Sequence, residues 1–309
     1  MLRIVASRLL QAIPVLLLVI TITFLMIHQA PGGPFDSERQ VTPEVMKNLN
    51  TRYNLDAPLH EQYASYLAHL ARGDFGPSFR YANRSVSELI QAGLPITLEL
   101  AFYALLIALF IGFGAGLCAA LHPRSWADYL PMSLAMLGIC MPAFLLGPLL
   151  VLVFGIWLEW LPVSGWNASS GDKILPSITL GTAYAAYIAR LTRGGMLEVL
   201  RQDYIRTARA KGLGEFRIII VHALRAGVVP VIAFLGPALA ALLSGSFIVE
   251  TVFQIPGLGR FYVQAAFNRD YTMIMGTTIF FATLILAFNL LADLLLAALH
   301  PRANESSPA

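Results

Sequence analysis

The sequence predicts an all-α membrane protein with six transmembrane helices, on three observations. Of 309 residues, 57% are hydrophobic and only 13% charged, about half the charged share of an ordinary soluble domain. Long runs carry no Asp, Glu, Lys or Arg. The basic residues then concentrate in alternate connecting segments. A net charge of +3 is too small to argue for nucleic acid.

A bilayer core of about 30 Å asks for about 20 apolar residues per helix. Residues 9–27, 100–121, 131–158, 226–249 and 271–292 meet or approach that length. The weakest stretch is 174–189, 16 residues with several Thr and Tyr. It is read as a sixth span because a helix packed among helices tolerates hydroxyls. The first run follows Arg3 and Arg8 but is too long for the apolar core of a signal peptide, so a retained helix is expected. With the N-terminus in the cytoplasm, the inside segments hold 12 of the 21 basic residues in 65 positions, and the outside segments nine in 103. That asymmetry puts both termini in the cytoplasm.

Segment 29–95, on the outside in this topology, is long enough to fold on the membrane surface. Thr42-Pro43-Glu44 reads as a helix start, with Pro in the first turn. Leu59, Tyr63, Tyr66, Leu67 and Leu70 recur at helical spacing, and Ser85-Val86-Ser87-Glu88 is a capping box. Two or three short amphipathic helices are expected there. Cys118 and Cys140 lie in apolar runs and read as small buried hydrophobes, and no metal site is expected. Pro14, Pro142, Pro148, Pro230 and Pro237 interrupt the spans, as packing irregularities or as the splay of helices around a cavity.

Catalytic patterns fail. His60-Glu61 lacks the second His of a zinc protease, because position 64 is Ala. There is no nucleophile elbow and no phosphate-binding loop for ATP. Gly112, Gly114 and Gly116 lie mid-span, where Gly112-x3-Gly116 reads as a close-packing helix face. Glu99, Glu250 and Asp293 sit at the ends of apolar runs, the first two near water at the outer edge. They are either interfacial structural groups or lining for a pathway.

Internal segment 190–227 holds eight basic residues. Within it, Asp203, Arg206, Thr207, Ala208, Arg209, Ala210, Lys211, Gly212 and Leu213 describe a short basic helix stopped at Gly212. Ala208 and Gly212 leave a strip with almost no side chain, suited to a partner's groove. A basic anchor on anionic lipid headgroups is the alternative.

Ala208-Arg209-Ala210-x-Gly212, with His222-Ala223-Leu224 and Pro230 beyond it, resembles the cytoplasmic "EAA" loop of ATP-binding-cassette (ABC) importer permeases. Ala208 and Arg209 stand where the generic pattern has Glu and Ala. Ala30-Pro31-Gly32, Gly73-Asp74-Phe75-Gly76-Pro77-Ser78-Phe79, Trp160-Leu161-Pro162 and Ala189-Arg190-Leu191-Thr192-Arg193 extend the likeness along the chain. So do Glu250-Thr251, the turn Pro256-Gly257-Leu258-Gly259 and Asn268-Arg269-Asp270-Tyr271. Together they resemble the B-type permease of the oligopeptide and dipeptide importer family, nearer the oligopeptide member.

The resemblance implies a type I importer permease fold in the bacterial inner membrane. Residues 1–95 would form the first span plus an extracytoplasmic subdomain, and 96–309 a five-helix core with the coupling loop. It implies a homologous C-type permease, two ATPase subunits that carry ATP and Mg, an extracytoplasmic binding protein and a peptide substrate. The chain itself would hold no cofactor and no catalytic residue. Residues 203–213 would couple to an ATPase, and 256–259 with 268–271 would receive the binding protein or gate the outer mouth. A secondary transporter or channel working without an ATPase is the competing class.

Overall fold

The computed structural model describes residues 2–34, 55–81, 83–169 and 171–299. The expected helix start at Thr42 lies outside them. Apart from one isolated bridge between Pro77 and Ser85, the described chain is helical. Four helices are long and apolar enough to cross a membrane: α1 (Leu2–Gln29), α3 (Val86–Leu121), α10 (Val229–Val252) and α12 (Tyr271–Leu299). The short α2 (Leu59–Leu70) precedes α3. Tyr63, Tyr66, Leu67 and Leu70 pack it onto α1 and α12, on the face that the spacing predicts. Helix α3 starts at the expected cap, where Ser85 Oγ accepts the Glu88 backbone N–H at 3.2 Å.

The 28-residue run 131–158 is not one straight span. It breaks into α4 (Trp126–Cys140) and α5 (Ala143–Leu150), the latter continuing as a π-helix over Val151–Trp157, and the chain bends by 109° between the two arms. Pro142 explains the break. A residue before proline is driven out of the α region, and Met141 sits at φ −93°, ψ 113°. Counted as one span, the bent pair makes five. Helix α6 (Ile174–Leu200) absorbs the weakest predicted stretch and extends it to 27 residues, about 40 Å of helix.

Helices α3 and α6 share the most extensive contact in the bundle, and glycines let their backbones come close. A Cβ on Gly112 would lie 2.7 Å from the Ala185 carbonyl oxygen, and one on Gly116 2.5 Å from that of Ala189. Gly181 meets the Ala104 carbonyl oxygen in the same way, at 2.5 Å. Lipid tails are as apolar as Leu, so spans associate through such close packing and not through hydrophobic burial. The cysteines depart from expectation: Cys118 is half-buried and Cys140 exposed.

Beyond α6 come α7 (Asp203–Ala210), α8 (Glu215–Arg217) and α9 (Leu224–Gly227), with π-helical Ile218–Ala223 between the last two. Helix α11 (Leu258–Asn268) joins α10 to α12. The connections gather at two ends. Residues 30–34, 71–81, 83–85, 158–169, 171–173 and 253–270 meet at a loop end, and α7, α8 and α9 at a basic end.

Candidate functional site: a buried latch and an exposed basic helix

At the basic end, α7 stands on two side chains. Ile205 and Ala208 are buried against Met196, Ile218 and Ala223. The helix closes as the sequence predicts. Gly212 takes φ +78°, its N–H reaches the Arg209 carbonyl at 2.9 Å, and the Leu213 N–H reaches that of Ala208 at 3.2 Å. This double bond pattern needs a left-handed residue, which glycine adopts without strain. Leu213 packs into the same cluster as Ala208.

That geometry corrects the bare-strip reading. Ala208 faces its own chain and is 7% exposed, so it offers nothing to a partner. The exposed residues are Asp203, Tyr204, Arg206, Thr207, Arg209, Ala210 and Lys211, with Gly212 beyond them. Two of the cations already have neighbours. Arg206 Nη1 lies 3.3 Å from Asp203 Oδ1, and Arg209 grips Glu215 with contacts of 2.7 and 3.2 Å. The Arg209 hydrogen bonds hold the Glu215 carboxyl below its usual range.

The basic end is tied to the bundle at two further points. The Arg193 guanidinium on α6 clasps Asp128 on α4 at 2.6 and 2.8 Å, and Asp128 also accepts the Arg124 N–H. Gly195 lets the backbone of Gly227 approach so closely that a Cβ there would fall 2.3 Å from its carbonyl oxygen. Sequence reasoning missed Asp128: it lies 65 residues from Arg193, and no spacing links them. Asp293, expected near the inner end of the last span, pairs with Arg8 of α1 at 2.7 Å.

At the loop end the polar groups turn inward. Glu250 is fully buried, which corrects its expected place beside water. Its Oε1 accepts the hydroxyls of Thr97 (2.8 Å) and Ser246 (2.9 Å), and its Oε2 accepts the Arg260 N–H (2.9 Å). The Thr97 hydroxyl in turn accepts the Leu258 N–H at 2.9 Å. The donors of the first turn of α11 are thus satisfied by side chains from α3 and α10, where a helix would otherwise leave them orphaned. Gly257 and Gly259 permit it: a Cβ on Gly257 would sit 2.5 Å from Glu250 Oε2. The pairing of Ser246 with Glu250, four apart on one helix face, was readable in the sequence. Thr97, inside an apolar run, gave no signal.

The predicted docking turn is therefore mostly internal. Gly257, Leu258 and Gly259 are buried and only Pro256 is exposed. Asp270 is 1% exposed, accepting from Ser78 Oγ, the Arg80 N–H, the Thr272 hydroxyl and the Met273 N–H at the start of α12. Arg269 ends α11 in the left-handed region, at φ 53°. Its guanidinium lies where a side chain on Gly32 would be, and the Tyr271 hydroxyl donates to the Gly32 carbonyl at 3.3 Å. Asn268 is half-buried at the end of α11.

Glu99, by contrast, stays partly exposed. It pairs with Lys173 and accepts the Trp166 indole N–H at 3.1 Å. That hydrogen bond and charge raise the Lys173 ammonium above its usual range. Lys173, Tyr103, Asn167 and Ser177 help line a groove of about 850 Å3. Glu99 thus pairs with a residue that lines this groove, while Glu250 and Asp293 make contacts between helices.

The class of protein follows from comparison with known proteins. Residues 1–101 match the N-terminal family of binding-protein-dependent transport system membrane components, and residues 108–305 match the binding-protein-dependent transport system inner membrane component family. The chain belongs to this inner membrane family. Within it, the chain falls in the oligopeptide and dipeptide branch. It is 46% identical to the oligopeptide transport system permease protein OppB of Haemophilus influenzae, over 98% of this chain and 99% of that one. The dipeptide transport system permease protein DppB of Bacillus subtilis is 44% identical over 93% of each. Among solved structures, the inward-facing MetNI methionine ABC transporter shares the fold with a TM-score of 0.56 at 17% identity, covering 69% of this chain and 97% of that chain.

Proposed function

We propose that this chain is the B-type permease subunit of an ATP-driven oligopeptide importer, moving peptide from an extracytoplasmic binding protein to the cytoplasm by alternating access. The observation that carries the reading is likeness from end to end, 46% identity over 98% of the chain, to a permease named for oligopeptide transport. Its partners are a homologous C-type permease, two ATPase subunits that hold ATP and Mg, and the binding protein. The bilayer takes six spans, with α6 and the bent α4–α5 pair each counted once. Both termini and the basic end lie in the cytoplasm, in keeping with the distribution of Lys and Arg. Residues 1–95 form the first span with its outer subdomain, and 96–309 the core.

In this assembly the exposed face of α7 seats in an ATPase, and ATP-driven closure of the ATPases tilts the bundle. A ligand shifts such an equilibrium only by its differential affinity for the two states, and ATP supplies that difference. The loop end faces the binding protein through the exposed Pro256 and Phe267. Few charges lie within the spans, so peptide is held through its backbone and termini, and Glu99 is the remaining pathway carboxylate. Purification of the tagged chain from its native membrane tests this. An ATP-hydrolysing partner that co-purifies in a two-to-one ratio is expected. Recovery of a fully active transporter from this chain alone would refute it in favour of a secondary transporter or channel.

A further inference from the structure

Glu250 sits where three elements meet. It lies on α10, its Oε1 is held by Thr97 of α3 and Ser246 of α10, and its Oε2 holds the first turn of α11. The clamp is continuous, because the Thr97 hydroxyl both donates to Glu250 and accepts the Leu258 N–H. It is also tight. A Cβ on Gly259 would fall 2.6 Å from Phe247 Cα, so α11 has no slack against α10. The far side of α11 exposes Phe267, 83% accessible.

The other end of α10 is held as firmly. Some 30 Å away along the helix, it continues through Val228, whose N–H bonds the Leu224 carbonyl at 3.0 Å, into the α9 segment that Gly195 clamps. The neighbouring Ala223 and Ile218 are the floor on which Ile205 and Ala208 of α7 rest. Helix α10 therefore runs unbroken from Val229 to Val252, with Pro237 inside it, and is fixed to α11 at one end and to the support of α7 at the other.

We propose that Glu250 is a positioning residue for coupling. It makes α11 and α10 move as one body, so that displacement of the loop end by the binding protein reaches the basic end. The proposal rests on the importer function above. It assigns Glu250 no contact with peptide, and its role is hydrogen-bond geometry more than charge. A glutamine can keep the contacts to α11 and to both hydroxyls, although the Thr97 proton gives up its carboxylate acceptor. Its carbonyl would accept from the Arg260 N–H, and its amide would donate to the Thr97 and Ser246 hydroxyls. The Ser246 hydroxyl retains the Leu243 carbonyl as an acceptor, at 2.9 Å.

The test uses the complete complex in liposomes, measuring ATP hydrolysis with and without peptide-loaded binding protein. Glu250→Ala should leave basal hydrolysis within about twofold of wild type while cutting the stimulated-to-basal ratio at least about fivefold, the lower range of an allosteric coupling. Glu250→Gln should restore the ratio. If Glu250→Ala keeps the ratio, or lowers basal and stimulated rates together, the proposal is overturned, since a merely structural residue behaves so. Failure of Glu250→Gln to restore the ratio overturns the geometric account. Should Glu250→Ala not assemble, Thr97→Val carries the same test, because it removes only the bridging hydroxyl, and an unchanged ratio there contradicts the proposal. If wild type shows no stimulation, the importer reading fails and takes this inference with it.

Discussion

The two ends of this bundle solve opposite problems with the same residue types. At the loop end, Glu250 and Asp270 are buried and accept from the donors around them. At the basic end, Arg206 and Arg209 are exposed, and their acidic neighbours Asp203 and Glu215 are more exposed still. A buried acceptor left unpaired costs about 1–3 kcal/mol, whereas an exposed ion pair contributes about 0–1 kcal/mol. The loop end is thus held by polar groups. The basic end is held by Ile205, Ala208, Leu213, the close approach of Gly195 to Gly227 and the buried Asp128 that Arg193 clasps, and the charges of α7 stay exposed to another surface.

Several substitutions would break or sharpen this contrast, and the first tests the frame common to both ends. Gly116→Leu should destabilise the bundle by about 3 kcal/mol, because the new side chain meets the Ala189 backbone and not a flexible tip. Loss of the monodisperse purified complex on size exclusion after mild heating would show it, and unchanged melting would refute the close-packing account. Asp270→Ala should cost about 2 kcal/mol, since it strands buried donors of the α12 start. Thermal unfolding of the complex reads it. An effect on binding-protein affinity with no fall in stability would instead return Asp270 to a docking role.

Asp128→Ala leaves Arg193 without its carboxylate, but a third of the Arg193 side chain reaches solvent, so about 1–2 kcal/mol is expected. Gly212→Leu meets open space and costs only the left-handed backbone, about 1 kcal/mol. Peptide uptake should fall while ATPase retention persists, and Gly212→Asn should be milder. Arg209→Gln should be smaller again in stability, because its pair with Glu215 is exposed.

The smallest effect is acidic. The Gly76 N–H, and after it His69, hold the exposed Asp74 carboxyl below its ordinary value of 3.8. A depressed carboxyl stabilises above its unfolded value and loses that contribution as pH falls through the folded one. The contribution of Asp74 to the turn at 69–76 should therefore be lost as pH falls below 3.8. Asp74→Asn should abolish that acid dependence in a melting series.

Helix positions were legible wherever one local rule decided them. Ser85 before Glu88 starts α3, Gly212 ends the α7 turn, and Gly112 with Gly116 announced a close neighbour. Pro142 announced a break as well, yet a proline kinks some spans and ends others, so the 109° angle was not readable from a charge-free run. The direction of α7 was not readable either. A helix with small residues on one strip and cations on another can bury either face, and only the cluster beneath Ile205 decides. Glu250 was misplaced for a related reason: the end of an apolar run marks the edge of a span, not the edge of the protein. Helix α11 folds back over that end and seals it.

The central claim is that this chain works as the permease of an ATP-driven peptide importer, and one measurement meets it most directly. Proteoliposomes holding the chain, its homologous permease and both ATPases are given binding protein outside, loaded with a labelled oligopeptide. Accumulation of label that requires ATP and Mg on the ATPase side, and that no ion gradient replaces, is the expected result. Accumulation driven by an ion gradient through this chain without ATP would contradict the account.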